Sequence, residues 1–209
     1  MNSLLNTAQN FVLIKDMSSF IDFDLLGELA NKQQYIRNVN NDISTNLNLL
    51  DHSEFSQTRD FLVAECVHYL QNTHNIFLGT NFQGLEITNS WCNITHALES
   101  HHEHTHPFSV VSGVLFLDDN PNNLNLTLQS YCQEVPYYLP SLTPKLSLEK
   151  IIGENKDNLK NHLVLFLSNV GHSVAQTTEG AKPRRTISFN TFWKGLVGFE
   201  NNPLGNKIF

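Results

Sequence analysis

The sequence predicts an α+β protein that is mainly β, with helices first and a sandwich or barrel of short strands after them. Three observations predict it. Apolar residues recur at helical spacing only in the first eighty positions. Beyond Phe82, short apolar runs alternate with turn residues. Those runs follow one another too closely for crossover helices, so the sheet should be mainly antiparallel.

Taken in order, Ser19-Phe-Ile-Asp22 reads as a capping box, and Phe20, Phe23, Leu26 and Leu29 follow at the spacing of one helix face. The Asn-rich stretch from Asn38 to Asn48 reads as a loop. A second helix is expected from about Glu54 to Gln71, with Phe55, Phe61, Leu62, Val67 and Leu70 on its buried side. Strands are expected at Leu85–Trp91, Val110–Leu117, Leu124–Leu128, His162–Leu167 and Arg184–Phe192; Leu124, Leu126 and Leu128 alternate with polar residues as a half-buried strand should. Tyr131–Pro144 holds three of the five tyrosines and three prolines, which suits a long irregular loop over a site, with Tyr137 and Tyr138 as candidate substrate contacts. A merely structural loop is the competing reading of that segment. The whole is expected to be a single domain, 1–209, with mainly helical support over 1–80, a β core carrying the site over 81–195, and a C-terminal tail over 196–209.

The formal charge of −7 argues against nucleic acid and anionic membranes as partners, since both need a basic face. Cys66, Cys92 and Cys132 are far apart and odd in number, so a disulfide framework is not expected and a reducing compartment fits. The first ten residues lack the basic start and apolar run of a signal peptide, and no apolar run approaches a membrane span. The expected location is cytoplasmic, or the host cytoplasm for a viral source. Nothing in the pattern specifies an oligomeric state.

Chemistry concentrates in Ser100-His-His-Glu-His-Thr-His-Pro107, which holds four of the ten histidines. Imidazole is a frequent ligand of iron, zinc and copper. On an extended chain His104 and His106 point to the same side, because side chains alternate with period two. A buried-looking run, Leu163-Val-Leu-Phe-Leu-Ser168, then leads to His172. Twelve residues further on comes Arg184-Arg-Thr-Ile-Ser-Phe-Asn190. Arg184, Thr186, Ser188 and Asn190 share one strand face, and Arg185, Ile187 and Phe189 the other. A guanidinium flanked by hydroxyls suits a carboxylate, which it can hold with two parallel hydrogen bonds.

These segments together resemble the 2-oxoglutarate/Fe(II)-dependent oxygenases, and most of all a branch of that superfamily found in marine bacteria and phages. The resemblance rests on Trp91-Cys-Asn93, His104-Thr-His-Pro107, Ser112-Gly-Val-Leu-Phe-Leu117, Leu165-Phe-Leu-Ser168 with His172-Ser-Val174, and Arg184-x-Thr-x-Ser-Phe-Asn190. It implies a double-stranded β-helix, the jelly-roll or cupin-like barrel of two facing sheets, flanked here by N-terminal helices. It also implies Fe(II), 2-oxoglutarate and O2 as metal and cosubstrates. His104 would be the first ligand and His172 the distal one. Arg184 would hold the far carboxylate of 2-oxoglutarate, with Thr186, Ser188 and Asn93 around it. Oxidative decarboxylation to succinate and CO2 would drive hydroxylation of a C–H bond in a small molecule or a peptide or protein side chain. The chain departs from the superfamily's usual pattern at position 106, where most members have Asp or Glu. The third ligand is thus His106, Glu103 or a water, and Arg185 is the alternative to Arg184. Nucleic-acid demethylases of the superfamily carry a second Arg six residues after the first; here that position is Asn190.

Other readings compete for the same residues. His102-Glu-His-Thr-His106 matches the H-E-x-x-H pattern of zinc hydrolases, which works only on a helix, and Pro107 disfavours helix at His106. A cupin outside the oxygenases would need a nearby Glu that Pro107–Val111 lacks. A non-catalytic metal-binding β-sandwich, or a solvated His-rich loop, is the plain alternative.

Overall fold

In a computed structural model, which describes residues 12–74, 83–119, 126–130, 148–152, 159–197 and 206–208, two antiparallel sheets face each other across a cavity. The strands are β1 (Val12–Asp16), β2 (Tyr35–Arg37), β3 (Asp42–Ser44), β4 (Leu85–Thr95), β5 (His101–His104), β6 (Val111–Phe116), β7 (Leu126–Ser130), β8 (Leu148–Ile152), β9 (His162–Leu167), β10 (Gly171–Val174), β11 (Arg184–Trp193), β12 (Gly195–Val197) and β13 (Asn206–Ile208). The larger sheet runs β1-β9-β6-β11-β4-β3-β2 and the smaller β5-β10-β7-β8, while β12 and β13 pair with each other. Two facing sheets of this kind form the double-stranded β-helix that the motifs imply.

β9 shows why the larger sheet sits centrally. Leu163, Val164, Leu165 and Phe166 are all fully buried. Leu163 and Leu165 pack with the helices, while Val164 and Phe166 pack on the other face with Phe116 and Val170. A strand covered on both sides reads as a continuous apolar run. Burying each such side chain contributes about 1.5–3 kcal/mol. β6 must pass close to β11, and Gly113 permits it. A Cβ at that position would lie 2.2 Å from Cζ of Phe189, its direct cross-strand neighbour.

Helix α1 spans Phe23–Asn31 and α2 spans Ser56–His74. In α2, Leu62, Cys66, Tyr69 and Leu70 are buried, the i, i+4, i+7, i+8 spacing of one helix face. Phe55 is buried as expected, whereas Phe61 and Val67 only lean on the core. Three sequence expectations are corrected. The N-cap of α1 is Asp22, whose carboxylate accepts from the backbone N–H of Leu25 at 3.0 Å; Ser19 and Phe20 lie before the helix. The Asn-rich stretch contains β3, which pairs with β4 through Asp42 and Ile43. The first eighty residues also place β1 on one edge of the larger sheet and β2 on the other. Cys66 and Cys92 are buried free thiols. Cys132 and the Tyr131–Pro144 segment, with Tyr137 and Tyr138, lie outside the described residues. No helix among the described residues is long and apolar enough to cross a membrane.

Candidate active site

Three histidines meet between the sheets. β5 and β10 are antiparallel with His104 directly opposite His172, and their ring centroids are 4.1 Å apart. His106 lies beyond the end of β5, so period-two alternation along a single strand is not what brings it to His104. The chain turns at Pro107 and Phe108, and the backbone N–H of His106 donates to the Ser168 carbonyl at 2.8 Å. This tie brings Nε2 of His106 to 3.2 Å from Nε2 of His172. One ligand atom from each of His104, His106 and His172 falls within a 4.8 Å cluster.

The tautomers suit metal ligation. Nδ1 of His104 sits 2.9 Å from the carbonyl oxygen of His102, and Nδ1 of His172 sits 3.0 Å from that of Val170. An Nδ1–H donating to a carbonyl leaves the Nε2 lone pair free to point into the cluster. Burial, with His104 close by, pulls the His106 imidazolium down to about 3. Burial also holds His104 below its usual value and His172 well below it, with neighbouring rings adding to the effect on His172. All three are neutral donors at pH 7. Two nitrogens bound at about 2.1 Å and at right angles to one ion stand roughly 3 Å apart, which is the His106–His172 spacing. The donor set therefore fits a divalent transition metal.

Across the same cavity lies Arg184. Its side chain is only 4% exposed, and burial pulls its guanidinium down to about 10. Among the described residues its one hydrogen bond, from Nη2 to Oγ1 of Thr95, is long at 3.4 Å, and Nε and Nη1 have no partner. A buried cation left this way is costly unless an anion arrives to meet it. Thr186, Ser188, Asn93, Trp91 and His101 line the same cavity. Nδ2 of Asn93 donates to Oγ of Ser188 at 3.1 Å, and Nδ2 of Asn41 donates to Oδ1 of Asn93 at 3.3 Å. The two outer partners thus orient the Ser188 hydroxyl.

Arg185 points to the opposite face. Its Nε and Nη2 bind the two carboxylate oxygens of Asp118 at 2.9 and 2.7 Å, and Nη1 reaches Asn31 at 2.6 Å. Asn190, expected on the polar face with Arg184, accepts from Oγ of Ser112 at 2.7 Å and does not line the Arg184 cavity. Glu103 is exposed, and His102-Glu103-x-x-His106 lies on β5 and the turn after it, with no helix to place its ends on one face. That geometry removes the zinc-hydrolase reading and leaves Glu103 out of the cluster. Sequence reasoning missed Thr95 in this cavity. Alternation along β4 puts Trp91, Asn93 and Thr95 on one face, a signal that would have found Thr95. The ring of His101 stacks on His104 at 4.6 Å.

Residues 89–190 match the family model described as "Putative 2OG-Fe(II) oxygenase". No curated protein sequence matches the chain. Among solved structures, the chain is similar to an oxidoreductase of the 2OG-Fe(II) oxygenase family from Burkholderia pseudomallei, at 11% identity and a TM-score of 0.58, covering 91% of this chain and 90% of that one. It is similar to HygX from Streptomyces hygroscopicus, solved with nickel, 2-oxoglutarate and hygromycin B, at 9% identity and TM-score 0.56, covering 92% and 87%. A third is a prolyl hydroxylase from Trichoplax adhaerens in complex with a hypoxia inducible factor peptide fragment, at 16% identity and TM-score 0.51, covering 91% and 88%. At these identities the structural likeness speaks for the fold.

Proposed function

We propose that this chain, whose residues 89–190 match a 2OG-Fe(II) oxygenase family model, is a dioxygenase that hydroxylates a C–H bond of a protein side chain or a small molecule, releasing succinate and CO2. One observation carries the reading: a buried, unpaired guanidinium faces three converging neutral imidazoles within one cavity. A cation at one end and nitrogen lone pairs at the other match a keto diacid that reaches from Arg184 to a metal ion.

His104, His106 and His172 would hold iron(II), and its Lewis acidity and redox chemistry with 2-oxoglutarate and O2 would supply the oxidising power. The residues of this chain bind and orient. Arg184 would take the distal carboxylate as a forked pair of hydrogen bonds, and Ser188, held by Asn93, would donate a further one. Thr186 lines the same slot. The backbone carbonyls of His102 and Val170 keep two imidazoles in the ligating tautomer. Phe116, Phe166 and Val174 keep the cavity apolar between its polar ends, which limits water. The similar folds include one that holds hygromycin B and one that holds a peptide fragment, so both substrate classes suit this scaffold.

Anaerobic titration tests the proposal. Iron(II) followed by 2-oxoglutarate should produce the visible charge-transfer band of a keto acid chelated to iron. The band should weaken in His172→Ala. Its absence in the wild-type protein would overturn the proposal.

A further inference from the structure

The polar face of β11 continues past the histidine cluster. Beyond Ser188 it presents Asn190 and Phe192, while the antiparallel β4 sets Asn89 opposite Asn190 and Glu86 opposite Phe192. With Thr88 and the turn through Pro107, Phe108 and Ser109, these residues line a second cavity of about 590 Å³. His106 lines this groove and the Arg184 cavity alike, so the two meet at the cluster.

Two features of the groove lack a structural purpose. Phe108 is 81% exposed and has a φ of 59°. A bulky residue rarely adopts that left-handed conformation, and strain of this sort gathers at functional sites. Here it holds an aromatic face out at the rim, next to a proposed metal ligand. Glu86 is half-buried, and among the described residues its carboxylate makes no ion pair. The groove thus offers a carboxylate and an aromatic face, and none of its lining residues among those described is a Lys or Arg. Carboxylates and aromatic faces are both complementary to cationic nitrogen. An anionic substrate would meet repulsion from Glu86.

We propose that the substrate presents an ammonium or guanidinium group to this groove, with Glu86 as its counter-charge and Phe108 as the face it lies on. His106 and Glu86 both line this groove, so the cation is carried on a chain that reaches from the histidine cluster to Glu86. The concave face is polarised along its length, with the anionic cosubstrate at the Arg184 end and the cationic substrate at the Glu86 end. This substrate assignment rests on reading the histidine cluster as the oxygenase centre.

Calorimetric titration of the iron-free protein with amidated trilysine, with spermine and with amidated triglutamine tests the groove itself. Trilysine or spermine should bind and triglutamine should not. Glu86→Gln should weaken that binding by about tenfold or more, the scale of one charge-assisted contact. Phe108→Ala should weaken it severalfold, and the distant exposed Glu54→Gln should leave it unchanged. Trilysine alone binding assigns a peptide substrate; spermine alone assigns a small polyamine. No binding of either cation, or equal binding by wild type and Glu86→Gln, overturns the proposal. The charge-transfer titration, repeated on Glu86→Gln, separates the two claims. A normal band without cation selectivity sinks only the groove, and cation selectivity without a band sinks only the oxygenase reading.

Discussion

Replacing Arg184 by methionine should raise stability and abolish cosubstrate binding, a pair of opposite effects that few other roles for this residue would produce. Burial pulls the guanidinium down to about 10, so keeping its charge costs the folded protein about 3 kcal/mol at about 1.4 kcal/mol per pH unit. Among the described residues the one compensation is the long contact to Thr95. Methionine fills much of the same space and carries no charge. Without 2-oxoglutarate, Arg184→Met should therefore gain about 2–3 kcal/mol, or roughly 5–10 °C in Tm for a chain of this size. The wild-type protein should regain the difference on adding 2-oxoglutarate, by about 2.7 kcal/mol at a hundred times Kd. The variant should not respond, because it has lost two charge-assisted hydrogen bonds worth about 1.5–3 kcal/mol each and at least about 100-fold in affinity. Thermal unfolding with and without 2-oxoglutarate, on wild type, Arg184→Met and Arg185→Ala, reads both effects. Arg185→Ala should keep its response to 2-oxoglutarate, since its guanidinium is engaged with Asp118. A less stable Arg184→Met, or one that still responds, would refute the reasoning.

Three further outcomes follow from the same geometry. Gly113→Ala would drive a Cβ into the Phe189 ring at 2.2 Å, at a cost of about 1–3 kcal/mol, and Phe189→Leu in the same chain should restore part of it by denaturant unfolding. His106→Asp rebuilds two imidazoles and a carboxylate and should keep the charge-transfer band, whereas His106→Ala should weaken iron affinity by at least about tenfold. Burial depresses His101 and His106 to about 3, so their neutral forms are favoured in the folded state. As pH falls below the unfolded value near 6.5, only the unfolded chain takes up protons, and stability declines down to about pH 3. Between pH 6.5 and 5 His101 and His106 alone should cost the metal-free protein about 3 kcal/mol, and His172 should add to that loss, measured by urea unfolding.

How far the sequence could be read depended on where each segment finds its partners. β9 and β11 were legible because burial on one or both faces writes itself into composition: a continuous apolar run in β9, and a clean split of Arg184, Thr186 and Ser188 from Ile187 and Phe189 in β11. β1, β2 and β3 were not. They are three to five residues long and lie at the sheet's edges and neighbouring positions; β1 and β3 find partners far away in sequence, as with Val12 opposite Phe166 and Asp42 opposite Ile94, and β2 pairs only with the short β3. Arg184 and Arg185 are adjacent, and alternation alone does not say which one faces the cavity. Asp118, 67 positions away, decides it by taking the second guanidinium. His106 was chosen for alternation along a strand, yet it reaches the cluster through a turn held by the Ser168 carbonyl. Asn190 keeps to the polar face of β11 but lies beyond the Arg184 cavity, where it accepts from Ser112 and lines the neighbouring groove.

Position 106 then acquires a physical meaning. Two imidazoles and a carboxylate bring one negative charge to a divalent ion, whereas three imidazoles bring none. The cavity around Arg184 has no Asp or Glu among its lining residues, so it combines a buried cation with a site for a second one. Like charges in one poorly solvated space repel: at an effective dielectric of about 20, a pair 10 Å apart costs about 1.7 kcal/mol per unit of charge product. The only way to balance both cations without a protein anion is for the ligand to carry the negative charge, one carboxylate to each end. A dianion of the right length is thus bound more tightly when the metal is present, and the metal more tightly when the dianion is present, since coupling is reciprocal. An aspartate at 106 would supply charge from the protein and weaken that coupling. With His106 as a ligand, binding of the metal and of its cosubstrate would each favour the other, which would tie the reactive metal to the presence of 2-oxoglutarate.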